Sequence, residues 1–169
     1  MPRFRVRRLS AAVVTVATTL AATGAFALTA QAAPAAVDES KDKVTTLNWV
    51  AHTHSDTKPH SVRAGSDWTV YSHLFENKKG DAGKKIGDAT AQCSAVDVTP
   101  HGYVAQCQRV LRTDRGSITL SDTIDYFGHG PHGGASAVTG GTGTYEAAEG
   151  QAKITAHRGH AELRISLDD

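Results

Sequence analysis

The sequence predicts an all-β chain folded as an eight-stranded antiparallel β-barrel. Three observations lead there. From residue 44 onward, segments rich in β-branched and aromatic residues recur at regular spacing, with turn residues between them and no helical period. Eight such segments fit, the number at which a closed barrel is just wide enough to fill with side chains or to hold one small ligand. Two cysteines, Cys93 and Cys107, fall opposite one another if the third and fourth segments form a hairpin.

The first 43 of the 169 residues stand apart from that pattern. Arg3, Arg5, Arg7 and Arg8 form a basic start, Leu9 to Leu28 an apolar run, and Ala30-Gln31-Ala32 an A-x-A cleavage site. Residues 1–32 therefore read as a secretory signal peptide rather than a retained anchor. Residues 33–43, rich in Ala, Pro and charge, read as a flexible arm. The barrel domain is expected over 44–169, secreted and free of the membrane after cleavage. Removing residues 1–32 takes away four of the 18 Lys and Arg and none of the 17 Asp and Glu, leaving 14 against 17, a formal charge of −3. Nucleic acid is not an expected partner, because no basic face with interleaved aromatics is present. The basic cluster Lys78-Lys79 and Lys84-Lys85 reads as a solvated hairpin tip.

The strands follow in order. Val44 to His54 is dense in β-formers and Asp67 to Glu76 carries much of the aromatic mass, with a polar loop holding Pro59 and Gly65 between them. Gly87 to Val98 and Tyr103 to Arg112 flank the turn Thr99-Pro100-His101-Gly102. In that hairpin Cys93 faces Cys107, Ala95 faces Ala105, and Asp97 faces Tyr103. A disulfide is the expected state in an exported chain, with a free thiol in a cavity as the alternative. Ser117 to Ile124 alternates cleanly after the turn at Asp114-Arg115-Gly116. Gly128 to Gly134 reads as an irregular loop and Ala135 to Thr139 as a short sixth strand. Gly150 to His157 and His160 to Leu167, joined at Arg158-Gly159, complete the set.

The stretch Gly140-Gly141-Thr142-Gly143 lies between the sixth and seventh strands. A phosphate-binding loop is excluded because no Lys-Ser/Thr and no helix follow. A tight corner between two strands suits three glycines in four positions.

Several side chains could carry chemistry. His52 and His54 share one strand face and, with His73, have the donor types of a zinc or copper site. The glutamate that accompanies a His-x-His metal motif is missing, so no metal or other cofactor is expected. Asp122 and Asp125 flank Ile124, and a buried acid there could protonate a carbonyl. Tyr103 and Tyr126 are candidate general acids or packing residues. No Ser-His-Asp order, nucleophile elbow, zinc-protease helix or dinucleotide fingerprint is present, which leaves hydrolase and oxidoreductase readings without support.

Ala89-Thr90-Ala91-Gln92-Cys93, Gly102-Tyr103-Val104-Ala105, Arg115-Gly116-Ser117-Ile118-Thr119 and Ala137-Val138-Thr139-Gly140-Gly141-Thr142-Gly143, with Tyr145 and Gly150-Gln151-Ala152-Lys153, resemble the allene oxide cyclase-like and dirigent-like barrel family. The resemblance spans about Trp49 to Ile154. It implies a barrel with a mostly apolar cavity, a homotrimer as candidate assembly, and cofactor-free steering of the cyclisation or coupling of a small hydrophobic molecule. It places Cys93 and Ser72 in the cavity, adds His52, His54 and Tyr126 as ligand-binding candidates, and makes Asp97, Asp125 and Tyr103 the candidate catalytic set. The first strand has no acid where the plant cyclases have a glutamate. Three readings stand: a cofactor-independent isomerase or cyclase, a non-catalytic carrier of a hydrophobic metabolite, and a structural envelope protein with a packed barrel.

Overall fold

A computed structural model of the chain describes residues 44–78 and 81–168. The signal peptide and arm read over 1–43 lie outside the described residues. The strands belong to one compact unit, Ser40–Asp169.

Eight strands close into an antiparallel barrel in which each pairs with its sequence neighbours and the last pairs with the first. They are β1 (Val44–Asp56), β2 (Asp67–Lys78), β3 (Asp81–Thr99), β4 (Gly102–Thr113), β5 (Gly116–Phe127), β6 (His132–Gly141), β7 (Glu149–His157) and β8 (His160–Asp168). The expected architecture is the observed one. Several boundaries differ, and two of them have a clear cause in strand pairing. β3 starts at Asp81, because the β2–β3 ladder runs on to Lys78 and Asp81 and takes most of the lysine-rich segment into the hairpin. β6 starts at His132, because Gly133 and Gly134 pair with Thr155 and Ile154.

Side chains alternate in and out of the barrel along each strand. On β5 the inward set is Ile118, Leu120, Asp122, Ile124 and Tyr126; on β4 it is Tyr103, Ala105, Cys107, Arg109 and Leu111. Cys93 and Cys107 are directly opposed and joined by a disulfide. Ala95 faces Ala105, also as expected. The register then slips: Val96 forms a bulge, so Asp97 pairs with Val104 rather than Tyr103. The cause lies in the β1–β2 loop. Gly65 N–H donates to Ala95 O at 2.8 Å, and Ala95 N–H donates to Ser66 O at 2.9 Å, which fastens β3 to the loop just before the bulge.

One end of the barrel is sealed. After Gly140 and Gly141 the chain makes a short 3-10 turn, Gly143–Tyr145, that sends Tyr145 inward. Tyr145 meets the edge of Trp49 at 6.2 Å between ring centroids, and the Arg115 guanidinium lies 6.0 Å from its ring centre. The glycines are needed here. Gly143 takes a φ of +63°, and a Cβ on Gly141 would collide with the carbonyl oxygen of Tyr145. Hydrogen bonds from Thr142 N to Ser117 O and from Thr144 N to Arg115 O bind the corner to the β4–β5 turn.

Candidate functional site

Above that floor the barrel is not filled. A cavity of about 270 Å³ lies between the middle of the barrel and its other end. The cavity exists because of side-chain size. Inward positions on β1 and β3 hold Ala51, Ala89 and Ala91, where the floor holds leucine and isoleucine. Trp68, Val70 and the Cys93 half of the disulfide continue the apolar wall. The rim is built by Asp56 at the end of β1, by Lys58 just after it, and by the β7–β8 turn around Gly159. Two further hollows, of about 600 and 540 Å³, lie along β6 and β7 and are open to solvent. Neither is enclosed, so the interior cavity is the candidate site.

Among the described residues, one charged pair is buried in the barrel. Arg109 on β4 and Asp122 on β5 form a bidentate contact, with Nε to Oδ2 at 2.6 Å and Nη2 to Oδ1 at 3.3 Å. The Asp122 side chain has no exposure and that of Arg109 has 13 %. Such a pair is no strong source of stability, since desolvation offsets much of the attraction. Arg109 itself lines the cavity, so the pair meets the cavity wall. Ser72 brings a buried hydroxyl to the cavity wall.

Two tyrosines stand near the pair at the open end. Tyr126 lines the cavity and stacks on Tyr103, with ring centroids 4.8 Å apart. Burial pushes the Tyr126 hydroxyl above its ordinary pKa, with Arg109 pulling the other way. Tyr103 is raised as well, first by burial and then by Asp56. Lys58 Nζ reaches the Tyr103 hydroxyl at 3.5 Å and lies 5.9 Å from the Tyr126 ring centre.

The structure divides the candidate residues into two groups. Ser72, Cys93 and Tyr126 line the cavity, and Tyr103 packs behind Tyr126. Asp97 and Asp125 are exposed and do not line it. Asp97 is carried past the inner wall by the Val96 bulge, and Asp125 sits one position out of phase with Asp122, Ile124 and Tyr126. His52 and His54 are exposed on the outer wall. Arg109 is the residue that sequence reasoning misses. Its signal is parity: with Cys107 turned inward for the disulfide, Arg109 two residues on must turn inward too.

The outer wall carries a row of imidazoles. His73, His52, His160 and His157 are successive cross-strand partners over β2, β1, β8 and β7. His54 lies 5.0 Å from His73, ring centre to ring centre. His160 is held below the ordinary imidazole range by desolvation, then by His157 and His52.

No family model matches the chain. No curated protein sequence matches it either. Among solved structures, pyocyanin demethylase is similar in fold, with a TM-score of 0.58 and 20% identity over 73% of this chain and 99% of that one.

Proposed function

We propose that the barrel takes up one small, mostly apolar molecule bearing a polar group and holds it in a single conformation, so that confinement steers its cyclisation or coupling. The observation that carries this reading is the cavity of about 270 Å³ whose apolar wall ends at a buried ion pair. That volume sits just below the usual range of roughly 300–1,000 Å³ for ligand pockets, which suits a small ligand. Arg109 spends two of its five N–H groups on Asp122, leaving donors for a carbonyl or anionic oxygen. Tyr126 keeps its proton at neutral pH and can donate a hydrogen bond into the same space. Ordering the ligand before reaction removes entropy from the barrier, and a tight apolar wall does this without a cofactor.

This reading moves the polar work from Asp97 and Asp125 to Arg109, Asp122 and Tyr126, with Tyr103 supporting the Tyr126 ring. The resemblance to allene oxide cyclase-like and dirigent-like barrels supports it. So does the similar fold of pyocyanin demethylase, which by its name acts on a small molecule. Export and a homotrimer belong to the same proposal. The disulfide supports export, since such bonds persist in oxidising compartments.

A carrier role is the second reading, and one observation favours it. Asp122 is already bound to Arg109, and the rim acid Asp56 accepts from Lys58 N–H at 2.8 Å. Neither is an idle base. Native mass spectrometry of protein purified gently from its producer's culture medium tests both readings. The expected result is one small-molecule adduct, lost when Ala91→Trp fills the cavity. An unliganded spectrum, together with no uptake of apolar probes, rejects both. Incubation then separates them, because a steering enzyme changes the connectivity of the bound molecule and a carrier returns it intact.

A further inference from the structure

The end of the β7–β8 hairpin rims the cavity, where His157 and His160 are among its lining residues, and it also presents a set of donors toward the outer wall. His157 and His160 are directly opposed across the turn, and strand parity turns both to the outer wall. Glu162, two residues beyond His160 on the same strand, shares that face. The donor atoms of His157, His160 and Glu162 all lie within 4.8 Å of one another. The two imidazoles stack at 4.4 Å between ring centroids.

A second observation points the same way. His157 Nε2 is shut away from solvent and makes no hydrogen bond. It faces Glu162 Oε1 at 3.8 Å, too far to be a hydrogen bond. A buried polar atom without a partner is costly, and a cation between the ring and the carboxylate would satisfy both.

We propose that His157, His160 and Glu162 bind a divalent transition-metal ion, Zn(II) or Cu(II), on the outer wall beside the cavity rim. Two imidazoles and one carboxylate are the borderline donors that these ions take. A tetrahedral ion with bonds of about 2.0–2.2 Å needs its ligands about 3.4 Å apart, so the donors must draw together and the two stacked rings must turn until their in-plane lone pairs converge. His52 is cross-strand partner to His160, with ring centroids 5.6 Å apart, and is the next imidazole available. Hard ions such as Ca(II) prefer six or more oxygens and are not matched here. The ion would join β7 to β8 next to the turn that rims the cavity, stiffening that rim.

Calorimetric titration of the tag-free full chain, stripped with chelator, tests this with ZnCl2, CuCl2 and CaCl2. Saturable binding of one Zn(II) and tighter binding of Cu(II) are expected, with none of Ca(II). His157→Ala and His160→Ala should each weaken Zn(II) by about tenfold or more, since losing even a group that only orients a metal ligand costs that much. His101→Ala, at the exposed β3–β4 turn, should leave it unchanged. Zn(II) should also raise Tm in the native chain and not in the His157→Ala/His160→Ala double variant, whose fold circular dichroism verifies. Absence of Zn(II) binding, or binding undiminished in the double variant, overturns the proposal.

Discussion

The two ends of this barrel share the same eight strands and the same ladder, yet one is packed and the other hollow. At the floor, Leu111, Ile118, Ile154 and Ile165 are fully buried around Tyr145 and Trp49. Toward the open end alanine, serine and the disulfide share the inward positions with Trp68, Val70, Arg109 and Tyr126, and the cavity opens between them. Backbone geometry cannot account for the difference, since hydrogen bonding continues through both ends. Side-chain volume does, helped at the floor by a corner that folds a tyrosine into the barrel. An eight-stranded barrel sits at the size where that choice decides between core and pocket.

The largest expected effect tests the Arg109–Asp122 pair that the hollow end buries. Asp122→Ala leaves Arg109 without its partner and should destabilise the chain by about 3–5 kcal/mol in urea unfolding. Replacing both residues, as Arg109→Met with Asp122→Leu, should restore much of that loss, because an apolar pair of similar volume carries no desolvation penalty. The double variant should at the same time lose any ligand with an anionic or carbonyl oxygen. If it kept the ligand, the pair would be structural only.

Next comes the contrast in packing. Ile154→Ala at the floor should cost about 2–5 kcal/mol, since a tight core collapses poorly around a void. Ala91→Val adds volume at the hollow end, where it meets empty space, and should cost less than the roughly 1–3 kcal/mol of overpacking a filled core. Equal costs at the two sites would erase the distinction between the ends. At the corner, Gly141→Ala pushes a methyl against the Tyr145 carbonyl and should destabilise by about 1–3 kcal/mol. Fluorescence of Trp49, which touches Tyr145, would report the displaced floor.

Most of this architecture is legible in the sequence because each turn carries its own chemistry. Pro100 with Gly102, Gly116, and Gly159 at its φ of +87° mark hairpins by residue type. The cysteine pair then fixes the β3–β4 register, and that register is observed. The Val96 bulge is not legible, because its cause is a backbone pairing with Gly65 and Ser66 in a distant loop. Asp97 is misplaced by that one residue. Asp122 can be read from the alternation of β5, whereas its partner Arg109 requires knowing that Cys107 faces in. The histidine row is invisible in sequence, since His73, His52, His160 and His157 become neighbours only when β8 closes onto β1.

The smallest expected effect concerns Tyr126, which packs against both hydrophobic clusters. Burial disfavours its phenolate, so its folded pKa lies above the unfolded value of about 10. Below pH 10 both states hold the proton, and the group's contribution is fully present. As pH rises from 10 through the folded pKa, the unfolded chain releases the proton first, and stability falls. Tyr126→Phe should remove that part of the fall, leaving the portion due to Tyr103, which is raised in the same direction. The check is the difference between wild-type and Tyr126→Phe urea midpoints, followed from pH 8 to 11. A difference that widens above pH 10 in favour of Tyr126→Phe places the hydroxyl in the low-dielectric interior that hydrogen-bond donation to a ligand requires. A flat difference would mean that water reaches the hydroxyl, and Arg109 would then be the site's main donor.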